Sequence, residues 1–122
     1  MDTFYKIYIQ VVFSVKRRQK LILPKFKEEL NKYITGIVRN KGHKLLAING
    51  TRDHIHILLS INRDLHLSKL VNEIKTNSSK FINEKRFLRH RFEWQHGYGG
   101  STYSHREISN IIEYIHNTGS TS

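Results

Sequence analysis

Two hydrophobic periods alternate along this chain, and their order constrains the fold more than any other feature. Residues 4–15 alternate with a period of two, and Tyr5, Ile7, Ile9, Val11, Phe13 and Val15 share one face. Strand side chains alternate between faces, so this run predicts a long, half-buried strand. After the single proline, Pro24, the period changes. Leu30, Tyr33, Ile34, Ile37 and Val38 fall at i, i+3, i+4, i+7 and i+8, the apolar stripe of a helix running to about Asn40. Residues 43–49 and 54–61 read as strands again, joined as a hairpin by Gly50-Thr51-Arg52. A second helix spans about 67–84. Leu67, Leu70, Val71, Ile74 and Phe81 form its buried stripe, and Lys69, Lys75 and Lys80 lie on its polar side. Residues 86–104 alternate loosely through Phe87, Phe92, Trp94, Tyr98 and Tyr103, which predicts one or two short strands. A last helix opens near Ser104, with Glu107 at capping-box spacing, and runs to about Asn117.

The order is β, α, β, β, α, β, α. It predicts an α+β fold: a ferredoxin-like (RRM-like) split βαβ antiparallel sheet with helices on one face, plus a C-terminal helix. At 122 residues the chain reads as one domain, 1–122, able to bury a single core. Lys and Arg outnumber Asp and Glu by 21 to 10, a net charge of +11. That imbalance points to a polyanionic partner, nucleic acid first and an anionic membrane surface second. The chain has no 18-residue apolar run and no export signal, so the cytoplasm is the expected compartment. It has no cysteine, which excludes disulfides, thiolate metal sites and cysteine nucleophiles.

Two places offer chemistry. In Asp53-His54-Ile55-His56-Ile57-Leu58-Leu59 the two histidines leave one strand face, while Ile55, Ile57 and Leu59 leave the other and anchor it. A neutral imidazole pair can bind Mg, Mn or Zn if substrate, water or a further side chain completes the shell. The plainer alternative is a pair of solvent-facing strand histidines. On the last helix, Ile108, Ile111, Ile112 and Ile115 make the apolar stripe. Tyr114 sits at its edge, with Asn110, Asn117 and Thr118 within one turn. A phenol can act as a nucleophile where a metal polarises the phosphate it attacks. The alternative is an amphipathic tyrosine at the core boundary.

Five segments together carry a resemblance. They are Val12-Phe13-Ser14-Val15-Lys16-Arg17-Arg18; the Asp53–Leu59 run; Leu70 through Ser79, with its Lys75-x-x-Ser78; Trp94-Gln95-His96-Gly97-Tyr98-Gly99-Gly100-Ser101; and Tyr114-Ile115-His116-Asn117. In this order they resemble the HUH single-tyrosine transposases, namely the IS-two-hundred type and the relatives associated with repetitive extragenic palindromes. The likeness covers nearly the whole chain. It implies the HUH endonuclease fold and a metal-dependent strand transferase acting on single-stranded DNA beside a hairpin. His54 and His56 would hold Mg or Mn. Tyr114 would attack, forming a 5′-phosphotyrosine link and freeing a 3′-hydroxyl. Lys16, Arg17, Arg18, Lys20, Lys75 and Arg91 are the expected DNA contacts, and a homodimer is the expected assembly, with the tyrosine serving either its own or its partner's site. The family usually has glutamine four residues after the tyrosine, where this chain has Thr118. Asn117, Thr118, Asn110 or water would then complete the metal shell. A relative that kept DNA binding and lost cleavage is the alternative implied by that departure. A non-catalytic RNA-recognition sheet is a third reading, disfavoured because residues 1–61 lack its Gly-Phe-aromatic signature.

Overall fold

The computed structural model describes residues 7–119. Four strands, β1 (Ile7–Ser14), β2 (Leu45–Gly50), β3 (His54–Ser60) and β4 (Gly99–Ser104), form one antiparallel sheet in the order β2-β3-β1-β4. Helix α1 (Pro24–Asn40) connects β1 to β2, and α2 (Leu67–Glu84) connects β3 to β4. Each crossover skips a central strand, which is the split βαβ arrangement expected from the periodicities. Among the described residues, no helix is long and apolar enough to cross a membrane.

One sheet face carries the main core. Val11 and Phe13 of β1 and Ile55, Ile57 and Leu59 of β3 pack there against Phe26, Leu30, Ile34 and Val38 of α1 and Leu70, Val71, Ile74 and Ile82 of α2. The opposite face is not left open. Helix α3 (Ile108–His116) lies on part of it, where Ile108 and Ile115 pack with Tyr8, Ala47 and Leu58 into a smaller core. A chain with apolar residues at both strand parities must cover both faces, and α3 covers the second.

The element ends follow local chemistry. Pro24 starts α1 at a position where its missing N–H costs nothing. Ser104 and Glu107 form the expected capping box, but it opens a single 3-10 turn, His105–Glu107, that leads into α3. The first strand is shorter than residues 4–15; residues 4–6 of that run lie outside the described residues. At its far end β1 stops at Ser14, and Arg17 and Arg18 both adopt positive φ, 58° and 55°. Two successive left-handed residues turn the chain sharply away from the sheet. Residues 86–104 supply one strand rather than two. Trp94 makes only an isolated bridge to Val15, and Gly97 has φ 86°. The carbonyls of Gln95 and Gly97 are satisfied by a lysine side chain instead of a ladder.

Candidate active site

The β3 parity sends His54 and His56 to the α3 face, with ring centroids 5.0 Å apart. Each ring is held through Nδ1. The His54 Nδ1–H donates to Asp53 Oδ1 at 2.6 Å, and the Thr51 hydroxyl donates to the same carboxylate oxygen at 3.0 Å. Arg18 Nε lies 3.5 Å from Asp53 Oδ2. Burial works to raise the Asp53 pKa. The hydrogen bonds from His54 and Thr51, with the Arg18 charge, outweigh burial and hold the carboxyl below its ordinary range. The His56 Nδ1–H donates to Gln10 Oε1 at 2.6 Å. Burial, reinforced by the His54 charge, pushes His56 down to about 4, so it is a neutral imidazole near pH 7.

Bonding through Nδ1 leaves the Nε2 edge of each ring for a metal. A histidine whose other nitrogen is tied to a carboxylate or carbonyl oxygen is the usual form of a metal ligand. The donor set therefore fits a divalent cation. Two oriented imidazoles on one face need oxygen donors to complete the shell.

Helix α3 brings Tyr114 to this pair. Its ring stands 5.9 Å from that of His56, nearly perpendicular, and the residue is 58% exposed. The edge of the apolar stripe produces this placement: Ile115 is buried beside it, while Tyr114 leans over the histidines. Two bonds from one side chain anchor the end of the helix. The Asn49 Nδ2 group donates to the carbonyls of His116 and Thr118, each at 2.9 Å. Asn49 pairs with His56 across β2 and β3, so one register position ties the tyrosine helix to the histidine strand. The Thr118 hydroxyl donates to the Tyr114 carbonyl at 3.0 Å, bonding back onto its own helix. Asn117 caps α3, and its backbone N–H donates to the Glu113 carbonyl. Asn110 lies exposed on the same helix.

The basic residues separate into groups. Lys16, Arg17, Arg18 and Lys20 are all exposed around the left-handed turn. Lys16 pairs with Glu93, and the Arg17 backbone N–H donates to Gln95 Oε1 at 3.0 Å. Lys16 and Arg91 border a groove of about 470 Å³ floored by Trp94 and Gln95. Lys20 borders a separate cleft beside the Gly50–Asp53 turn.

Lys75 does not lie freely on a polar helix face. Its ammonium donates to the carbonyls of Gln95 and Gly97, both at 2.7 Å, and sits 5.7 Å from the centre of the Phe13 ring. Burial lowers its pKa. One turn on, the buried Ser78 hydroxyl accepts the Trp94 indole N–H at 2.9 Å. The Lys75-x-x-Ser78 and Trp94–Tyr98 segments are thus two halves of one clasp. The Ser68 and Tyr98 hydroxyls, 3.2 Å apart, extend it.

Sequence reasoning brought His54, His56 and Tyr114 forward, and the fold brings all three together. It missed Gln10 and Asn49, and it named Asp53 only as the start of the histidine motif, without a chemical role. A polar residue at the histidine parity of β1, set between Ile9 and Val11, was the one available signal for Gln10.

A family model described as IS200-like transposase matches residues 3–118. No curated protein matches the chain. Among solved structures, it is similar to a protein from Deinococcus radiodurans R1 named as a candidate transposase. The TM-score is 0.76 at 20% identity, covering 98% of this chain and 95% of that one. It is also similar to a REP-associated tyrosine transposase solved bound to a REP hairpin. There the TM-score is 0.66 at 17% identity, covering 93% of this chain and 66% of that one.

Proposed function

Since this chain belongs to the IS200-like transposase family, we propose that it cuts and rejoins single-stranded DNA with Tyr114 as the nucleophile. One juxtaposition carries this reading: an exposed tyrosine ring 5.9 Å from a neutral, oriented histidine that is itself 5.0 Å from a second. His54 and His56 would hold Mg or Mn through Nε2, with Asn117 or Thr118 as a further oxygen donor. When bound, such an ion polarises the scissile phosphate and steadies the charge that develops on its oxygens.

The remaining work falls to the chain. Asp53 and Gln10 keep both imidazoles in the tautomer that presents Nε2. Asn49 holds the end of α3 so that Tyr114 stays over the pair. The Tyr114 oxygen attacks phosphorus and gives up its proton. The bond from phosphorus to the 3′ oxygen breaks, and that oxygen leaves as a 3′-hydroxyl. The product is a 5′-phosphotyrosine, and another strand's 3′-hydroxyl attacking it reverses the chemistry and frees the tyrosine. Lys16, Arg17, Arg18, Lys20 and Arg91 would hold phosphates around the site. The similarity to a protein solved on a REP hairpin supports hairpin-flanked DNA as the substrate. A homodimer is the proposed assembly, although a single chain already sets Tyr114 beside its own His56.

One observation favours a second reading. The Thr118 hydroxyl bonds back to the Tyr114 carbonyl, at the position where the family usually has a longer ligand. A relative that binds DNA without cutting it would fit that feature. Incubation with hairpin-bearing single-stranded DNA and Mn or Mg separates the two. We expect a covalent adduct on a denaturing gel, lost in Tyr114→Phe. Absence of adduct in the wild type, or equal adduct in Tyr114→Phe, overturns the catalytic assignment.

A further inference from the structure

We propose that Gln10 is a positioning residue that holds His56 with its Nε2 edge free to face a metal. The consequence for metal binding rests on the reading of His54 and His56 as ligands; the geometry does not.

A neutral imidazole has one N–H and one lone pair, and the partner of one nitrogen decides where the proton sits. His54 has a carboxylate for a partner, and an ionised carboxylate only accepts, so its Nδ1 keeps the proton. His56 has no carboxylate. Its Nδ1 meets the Gln10 amide, which accepts at one end and donates at the other. With Oε1 toward the ring, Nδ1 is protonated and Nε2 offers its lone pair. Rotated by half a turn, the amide would donate to Nδ1 and drive the proton onto Nε2, where no metal could bind.

Tyr103 meets the far end of the amide; a phenol can donate or accept, so this contact holds the side chain in place and leaves the choice of edge to the Gln10–His56 pair itself. Gln10 Nε2 donates to the Tyr103 hydroxyl at 3.1 Å. Gln10 is 7% exposed, so water does not readily replace a lost partner. The path crosses three strands on one face. Val12 of β1 pairs with His56, and Tyr8 pairs with Tyr103 of β4. Gln10 lies between Val12 and Tyr8 and reaches both neighbours diagonally, a span long side chains can bridge.

Long-range proton–nitrogen correlation spectra of the metal-free protein read the protonated nitrogen of each histidine directly. We expect Nδ1–H on both His54 and His56. Mn²⁺ titration then tests the consequence. Gln10→Met fills the space without an acceptor and should weaken Mn²⁺ binding by about 10- to 100-fold, the range seen when a ligand's outer partner is removed. Gln10→Glu can only accept from Nδ1–H, so it should bind Mn²⁺ within about twofold of wild type or more tightly. Tyr103→Phe removes only the contact at the far end of the amide and should give a smaller loss. Folding of each variant is followed by its Tm. A His56 protonated on Nε2 in the wild type overturns the proposal, as does a folded Gln10→Met that binds Mn²⁺ like wild type. If Gln10→Met does not fold, loss of affinity in a folded Gln10→Glu overturns it equally. A wild-type protein that shows the expected tautomers yet binds no Mn²⁺ upholds the role of Gln10 and refutes the ligand reading of the histidines.

Discussion

His56 makes the folded protein acid-sensitive at a single side chain. Its pKa is about 4 when folded against an ordinary value of 6.5, because burial disfavours the charged ring. Between those values the unfolded chain binds a proton that the folded chain refuses. Stability is therefore fully present above about pH 6.5 and is lost as the pH falls toward 4. In chelator, to keep the protein metal-free, the Tm should drop across that window and drop less in His56→Asn. An equal fall in both proteins would show that other groups carry the acid response. This burial was only half legible. The period of two shows that His54 and His56 share a face, and the stripe of α3 shows that Tyr114 edges it. Neither shows that Tyr114 lies over His56, which depends on where a helix about 50 residues later in the chain docks. Gln10 was harder still. Its partner is decided by the β1–β3 register, a long-range property that no local pattern encodes.

Helix α3 packs on the sheet through its isoleucines, and one β2 side chain fastens its end. Asn49 spends both amide hydrogens on the last carbonyls of the helix, groups that a helix end otherwise leaves unpaired. Asn49→Ala should cost about 1–3 kcal/mol for two lost hydrogen bonds. Hydrogen exchange should show the loss concentrated in the last turn of α3, with slower adduct formation because Tyr114 is no longer held. Uniform exchange across the sheet, with normal adduct rates, would contradict that role. The clasp of α2 makes a parallel case. Lys75 reads in the sequence as one of several basic residues on an exposed face, and periodicity cannot say that a later loop will fold over it. Its ammonium binds two carbonyls, so Lys75→Met should lower stability by about 1–3 kcal/mol. Arg91→Ala, by contrast, should weaken DNA binding at nearly unchanged Tm. If Lys75→Met weakens DNA binding without a change in Tm, it is a contact and not a strut. The helices themselves were well predicted, because stripes of 17 and 18 residues average out local ambiguity. The stretch before β4 left one or two strands open, and the structure makes one, because only an isolated backbone bridge and side-chain bonds hold the rest.

On the scale of the whole molecule, the net charge of +11 is the property a partner meets first. If the basic surface grips DNA phosphates, the logarithm of affinity should fall linearly with that of salt concentration, by about 0.7 per phosphate neutralised on a single strand. A flat salt response would dissociate charge from binding. The sheet also sorts the molecule into two sides. The residues of β3 that face α1 and α2 hold the fold, and the alternate ones face α3, Tyr114 and the Gln10 network. An evolving chain can therefore exchange residues on one side with little effect on the other. The same interleaving makes it intolerant of a different kind of change. A single codon inserted between Asp53 and His54 would slide every later β3 residue by one place. It would drive both imidazoles into the oily interior and turn Ile55 and Ile57 toward α3 and Tyr114, so such lesions should be far rarer among viable descendants than substitutions in the same strand.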